Sequence, residues 1–187
     1  MPAIGITGGI STGKTSFVAC LREIFAERSP QRGVPAGVTF FDADLSAREL
    51  VNDDAEVRGL IEHEFGPGVY SQSGGLNREH IRSIVFADAG KKRALEQILH
   101  PRIRRQWSLE AERHRHSTDL FFADIPLLYE TGGETLCDRV VVVACSPRVQ
   151  LDRLMKRMGL DESAAQQMIA AQMPLTSKIE LADHVVW

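Results

Sequence analysis

The chain has 187 residues, 43% of them hydrophobic and 25% charged, with a formal net charge of −3 at pH 7. That length suits one domain, or one core carrying an inserted block, and the slight acidity gives no electrostatic case for nucleic acid or a membrane surface. No stretch approaches the roughly 18 apolar residues of a membrane span, and Gly8, Gly9, Ser11 and Lys14 interrupt the N-terminal apolar run too early for a signal peptide.

In chain order, "PAIGIT" reads as a first strand. A helix follows from Lys14, with Phe17, Val18, Leu21, Ile24 and Phe25 expected on one apolar face. Residues 29–37, "SPQRGVPAG", form a Pro/Gly-rich loop, and "VTFF" a short second strand. From about Leu45 to His116 the pattern turns helical, in "AEVRGLIEHEF", "REHIRSIVF", "KRALEQIL" and "RIRRQWSLEAERHR", with residues 66–75 as a loop between the first two. Leu99-His100-Pro101 is expected to end one of these helices and start the next, since proline suits a first helical turn.

Strands return in "DLFFAD" and "RVVVVAC". The second carries four consecutive valines, continuous rather than alternating, as in a parallel strand covered on both faces. A basic helix over residues 147–158, a second over 162–172 and a final short strand, "HVVW", complete the chain. Strand–helix alternation around a helical block predicts an α/β fold: a doubly wound, parallel five-stranded sheet with a helical insertion and a small lid. Cys20, Cys137 and Cys145 are odd in number and lack C-x-x-C spacing, which argues against a disulfide framework or structural zinc and fits a reducing cytosol. Cys20 and Cys145 are expected to be buried, inert thiols.

Gly8-Gly9-Ile10-Ser11-Thr12-Gly13-Lys14-Thr15 matches G-x-x-x-x-G-K-[ST] in full, after a strand and opening a helix. Backbone N–H groups in such a loop make an anion nest at a helix N-terminus. Lys14 would reach the β- and γ-phosphates of a nucleotide, and the Thr15 hydroxyl would ligate Mg²⁺. The loop alone does not name an acceptor, but the absence of N-K-x-D weighs against a GTPase.

Other residues bear on the acceptor. Asp42, Asp44 and Arg48 follow the second strand, at the edge where the strands of a doubly wound sheet converge on a ligand. A carboxylate there can deprotonate a sugar hydroxyl and an arginine can hold a phosphate. An i,i+4 ion pair between Asp44 and Arg48, with Asp42 as a helix cap, is an equal reading. Asp124 ends the third strand, placed to hold Mg²⁺ through water or to cap a helix. Arg148, Arg153, Lys156 and Arg157 make either a lid that neutralises a transferring phosphoryl group or a solvated basic face.

Together these residues resemble the dephospho-coenzyme A kinase family, from Ile4 to the end of the chain. The resemblance is carried, in order, by "GITGGISTGKT", "DADLSAREL", "GGLNREHIRSIVF", "LEQILHPRI", "DIPLLYETG", "VVVVACSPRVQLDRLMKRMGL", "AAQQMIAAQM" and "KIELADHVV". It implies transfer of the γ-phosphoryl group of ATP, with Mg²⁺, to the ribose 3′-hydroxyl of dephospho-coenzyme A, the last step of coenzyme A synthesis. By position it implies that the loop residues from Gly8 to Ser16 bind ATP, with Lys14 catalytic and Thr15 on the metal. Asp44 would be the general base, with Arg48, His100 and Asp124 on the acceptor side. Arg153 would contact phosphates and Arg157 assist in the lid, while Gln172, Lys178 and the Ala182-Asp183 turn would lie near the adenine. The implied layout is a nucleotide-binding core of residues 1–44 and 117–187, with a lid at about 148–172, and an acceptor-binding insertion of residues 45–116 that closes to exclude water. A cytoplasmic monomer or weak homo-oligomer, without nucleic acid or membrane partners, is the matching expectation.

Three departures from the family pattern carry expectations. Ser11 stands where glycine is usual, at a cost of order 1 kcal/mol if the position needs a positive φ. The loop of residues 29–37 is longer than usual. The family continues beyond the final strand whereas this sequence stops at Trp187, so an incomplete adenine pocket is expected. Two other functions compete with the 3′-hydroxyl kinase: a nucleoside or nucleotide monophosphate kinase, which leaves D-A-D, L-H-P and D-I-P-L-L unexplained, and a nucleotide-binding protein without transferase activity.

Overall fold

The computed structural model describes residues 3–27, 37–71, 74–115 and 119–187; of the Pro/Gly-rich loop, residues 29–36 lie outside this set. Five strands, β1 (Ala3–Gly8), β2 (Val38–Asp42), β3 (Leu120–Asp124), β4 (Arg139–Val143) and β5 (His184–Val186), form one sheet. All pairings are parallel, in the order β2-β3-β1-β4-β5. The expected doubly wound sheet is therefore present. Its neighbouring strand ends are in register, with Ile6 opposite Asp124 and Asp42 opposite Asp124.

Helix α1 (Lys14–Glu27) packs on one sheet face, where Ile6, Val18, Phe122 and Val143 form a core flanked by Phe17, Leu21, Phe25 and Phe40. Phe121 and Val142, one residue away on their strands, are just as buried, so β3 and β4 are covered on both faces. This accounts for continuous rather than alternating apolar runs. The α1 stripe is narrower than its periodicity suggests: Ile24 is 44% exposed at its margin. Cys20 is exposed beyond it and Cys145 only half-buried, correcting the expectation of two core thiols. The thiol held most firmly protonated is Cys137, packed against Gly5 and pushed up to about 12 by burial, with Asp138 and Glu134 adding to the shift.

The chain divides into two compact units, one of residues 1–42 and 108–187 and the other of 43–107. The second is helical. It contains α2 (Ala43–Asp53), α3 (Ala55–Phe65), α4 (Arg78–Ala87) and the first part of α5 (Ala89–Arg115). Asp54 and Asn77 cap α3 and α4 by accepting from Val57 N and His80 N. Its own core gathers Leu50, Val51, Val57, Ile61, Phe65, Val69 and Ile81. Tyr70 lies against that core and donates to Val51 O at 2.9 Å, under the Arg58 guanidinium 4.1 Å from its ring centre.

Pro101 does not divide two helices; it sits inside the continuous α5. Interior proline costs on the order of 3 kcal/mol through a lost N–H and a carbonyl clash. Leu95, Ile98, Leu99 and Ile103 around it all pack on the helical core, each worth up to roughly 1.5–3 kcal/mol when fully buried. The Arg102 guanidinium also donates to Ile98 O at 2.9 Å, serving a carbonyl beside the break.

The remaining helices are α6 (Pro147–Met158), capped by Ser146, α7 (Glu162–Ala170), capped by Asp161, and α8 (Leu175–Leu181). Helix α8 has no counterpart in the sequence reading, because seven residues are too few to display a helical stripe. Among the described residues no helix is long and apolar enough to cross a membrane. Ile61 is fully buried, so Ile61→Ala should lower the unfolding free energy by about 2–5 kcal/mol, read from the shift in urea midpoint at constant slope.

Candidate active site

Gly8 ends β1, the central strand, and the chain turns through a loop into α1 at Lys14. Only glycine fits at position 8: a Cβ would lie 2.5 Å from Val143 O and 2.9 Å from Thr12 Oγ1. Gly13 adopts φ +106°, in the region open chiefly to glycine, and Ser11 adopts φ +61°. The positive φ anticipated for Ser11 is therefore real, and its hydroxyl is buried without a partner among the described residues.

The loop's carbonyls are drawn away one by one. Lys178 Nζ donates to Gly8 O at 3.3 Å, and Thr12 N and Oγ1 donate to Gly9 O at 3.3 and 2.9 Å. Gln150 Nε2 donates to Ile10 O at 2.9 Å, Arg153 Nη1 to Thr12 O at 3.2 Å and Phe17 N to Gly13 O at 3.0 Å. A trans peptide points its N–H opposite its C=O, so the bonds to Ile10 O and Thr12 O turn the Ser11 and Gly13 N–H groups the other way, as an anion nest requires.

Lys14 Nζ is ion-paired with Asp124 Oδ1, both side chains largely buried at 13% and 8% exposure. Asp124 reaches it because β3 lies beside β1. Thr15 and Ser16 sit exposed in the first turn of α1. Arg153 lies beside the Cys145 thiol, whose pKa burial raises and the guanidinium partly lowers. Arg157 is exposed on α6.

Lys178 and Asp183, both expected on the adenine side, each have partners within the protein. Lys178 is fully buried, and its ammonium meets Gly8 O, Pro126 O at 3.1 Å and Glu130 Oε1 at 2.8 Å. Three donors find three acceptors, so this charge braces the base of the loop. Asp183 accepts from Val140 N at 2.8 Å and pairs with Arg139 at 3.7 Å, fastening the start of β5 to β4. Gln172 accepts from Ile10 N at 2.9 Å and so holds the loop itself.

In the helical unit, Asp44 is in the first turn of α2 and Arg48 one turn on, both exposed. They make no ion pair with each other among the described residues. His100 is half-buried within α5. The sequence reading missed Gln150 and Glu130. Gln150 had a signal: it sits four residues before the buried Leu154, a polar residue on the apolar stripe of α6.

A G-x-x-x-x-G-K-T loop between the central strand and first helix of this parallel sheet, with a lysine–aspartate pair at its mouth, defines the class as a P-loop nucleotide-binding protein. The family model for dephospho-CoA kinase matches residues 2–187. The dephospho-CoA kinase of Anaeromyxobacter dehalogenans is 42% identical over all of this chain and 83% of its own length. That of Bacillus cereus is 36% identical over 98% of this chain and 86% of its own. Among solved structures, TT1252 from Thermus thermophilus matches with TM-score 0.71 at 31% identity, over 98% of this chain and 86% of that one. The dephospho-CoA kinase of Campylobacter jejuni shares the fold with TM-score 0.68 at 24% identity, over the same shares of the two chains. The chain belongs to the dephospho-CoA kinase family.

Ser11→Gly should stabilise the protein by about 1 kcal/mol, seen as a raised melting midpoint. Relief of left-handed strain and loss of a desolvated hydroxyl should outweigh the extra chain entropy of glycine. Lys14→Ala should abolish turnover, and measurable ADP release by that variant would remove Lys14 from the phosphate site.

Proposed function

We propose that the protein transfers the γ-phosphoryl group of ATP to the ribose 3′-hydroxyl of dephospho-coenzyme A, giving coenzyme A and ADP. The observation that supports this reading best is the loop with its carbonyls drawn outward, in a chain that matches the family throughout. In this reading the amides of the loop hold the phosphates, and Lys14 exchanges its bond with Asp124 for the β- and γ-phosphates. Asp44 takes the 3′-hydroxyl proton while that oxygen attacks the γ-phosphorus and the bond to the β,γ-bridging oxygen breaks. Arg48 and His100 hold the acceptor in the helical unit, which serves as the acceptor-binding domain. Arg153 and Arg157 neutralise charge that develops on the moving phosphoryl group.

The donor set fits Mg²⁺: the Thr15 hydroxyl directly and Asp124 through water are hard oxygen ligands, and among the described residues no cluster of three or more His, Cys, Asp or Glu could cage a metal. Mg²⁺ characteristically takes few protein ligands and completes its shell with water and phosphate. Bound there, it would screen the charge of the phosphates. The same reading places the protein in the cytoplasm as a monomer or weak homo-oligomer, in keeping with three cysteines that are all free thiols.

Asp44→Asn should keep ATP affinity within about threefold while turnover falls by on the order of 10²–10⁴. The assay is Mg²⁺-dependent ADP release with dephospho-coenzyme A, using AMP and adenosine as comparison acceptors. Unchanged turnover in the variant would remove Asp44 as the base, and preference for AMP or adenosine would replace the acceptor.

A further inference from the structure

The inference rests on the reading of the loop as the site of ATP's phosphates. Ile10, at its centre, is gripped by side chains at both its amide and its carbonyl. Gln172 Oε1 accepts from Ile10 N and Gln150 Nε2 donates to Ile10 O, each at 2.9 Å. The sense of each bond is forced, because a peptide N–H can only donate and a C=O only accept.

Gln150 is 4% exposed and lies one turn before Arg153, which takes Thr12 O at 3.2 Å. These two residues of α6 therefore draw alternate carbonyls of the loop toward one helix. Through the planar trans peptides, that turns the N–H groups of Ser11 and Gly13 the other way. Neither N–H donates to a protein acceptor among the described residues.

The second glutamine is itself held. Its neighbour Met173 donates through its amide to Glu130 Oε1 at 3.0 Å, and the same oxygen accepts from Lys178 at 2.8 Å. Lys178 in turn bonds Gly8 O, so the link between α7 and α8 is fastened to the base of the loop whose centre Gln172 holds.

We propose that Gln150 and Gln172 are positioning residues, a pair of amides of opposite hydrogen-bonding sense that clamp Ile10, fix the direction of the Ser11 N–H and so set the affinity for the triphosphate of ATP. Two glutamines that merely filled space would be indifferent to that sense.

The test compares Gln150→Glu with Gln172→Glu in the full chain. The substitutions are isosteric and add the same charge, so their difference isolates hydrogen-bond polarity. Glutamate at 172 keeps the acceptor that Ile10 N–H needs, whereas glutamate at 150 sets an acceptor against Ile10 O. ATP affinity, titrated without acceptor, should fall about tenfold or more for Gln150→Glu and stay within about threefold for Gln172→Glu. Gln172→Met, which lacks the acceptor, should show a loss like that of Gln150→Glu, and KM for dephospho-coenzyme A should move less than about twofold in all three. Equal responses of the two glutamate variants, or wild-type ATP affinity in Gln172→Met, would overturn the clamp. If Gln150→Glu does not fold, Gln150→Met replaces it: weakened ATP binding supports the clamp and unchanged binding refutes it. Because this titration needs no acceptor, a wild-type chain that binds ATP without phosphorylating dephospho-coenzyme A would sink the functional reading alone.

Discussion

A backbone loop binds a polyanion only if its carbonyls point elsewhere. Each peptide carries its donor and acceptor on opposite sides, so turning N–H groups inward requires something outside to take the carbonyls. Here the takers are side chains from the far end of the sequence: Lys178, Gln150 and Arg153 hold Gly8 O, Ile10 O and Thr12 O. The sheet makes this arrangement possible. With β1 in the middle and β4 beside it, the segments after β4 return to the end of β1 where the loop begins.

The same end of the sheet concentrates charge in places that exclude water. Lys14 pairs with Asp124, and Lys178 with Glu130. Buried pairs are weak sources of stability, since desolvation offsets the attraction, and they are costly to break by removing one member. Their value at this site is geometric. Lys178, fully buried and saturated with acceptors, holds one arrangement at the base of the loop. Lys14 pairs with one carboxylate among the described residues, that of Asp124, and its side chain keeps a small exposed fraction. Two lysines at one end of the sheet thus differ in kind: Lys178 is fully buried and held by three acceptors, Lys14 by one carboxylate.

The helical unit shows how far a local rule carries. Its helices were legible from apolar spacing, while the caps Asp54 and Asn77 became apparent only in the structure. The break expected at Pro101 was not made, because the residues on either side pack on one core and hold the helix through the defect. Cys20 and Ile24 show the reverse: periodicity marked them as apolar, while the width of the contact between α1 and the sheet left them exposed.

The sequence by itself determined the features that depend on neighbours in the chain. These are the strand–loop–helix of the P-loop, the valine run of a strand buried on both faces, the α6 span over residues 147–158, and the family signature from end to end. Spacing alone carries them, because turns, caps and stripes are governed by residues within a few positions. Only the tertiary structure decided which polar residues meet. That Gln172 grips Ile10, that Lys178 is buried beneath Gly8 and that Asp183 fastens the sheet edge depend on contacts spanning 162, 170 and 43 residues. No local pattern encodes such pairings, since a glutamine or lysine acquires its partner only when the sheet brings distant carbonyls and amides within hydrogen-bond reach.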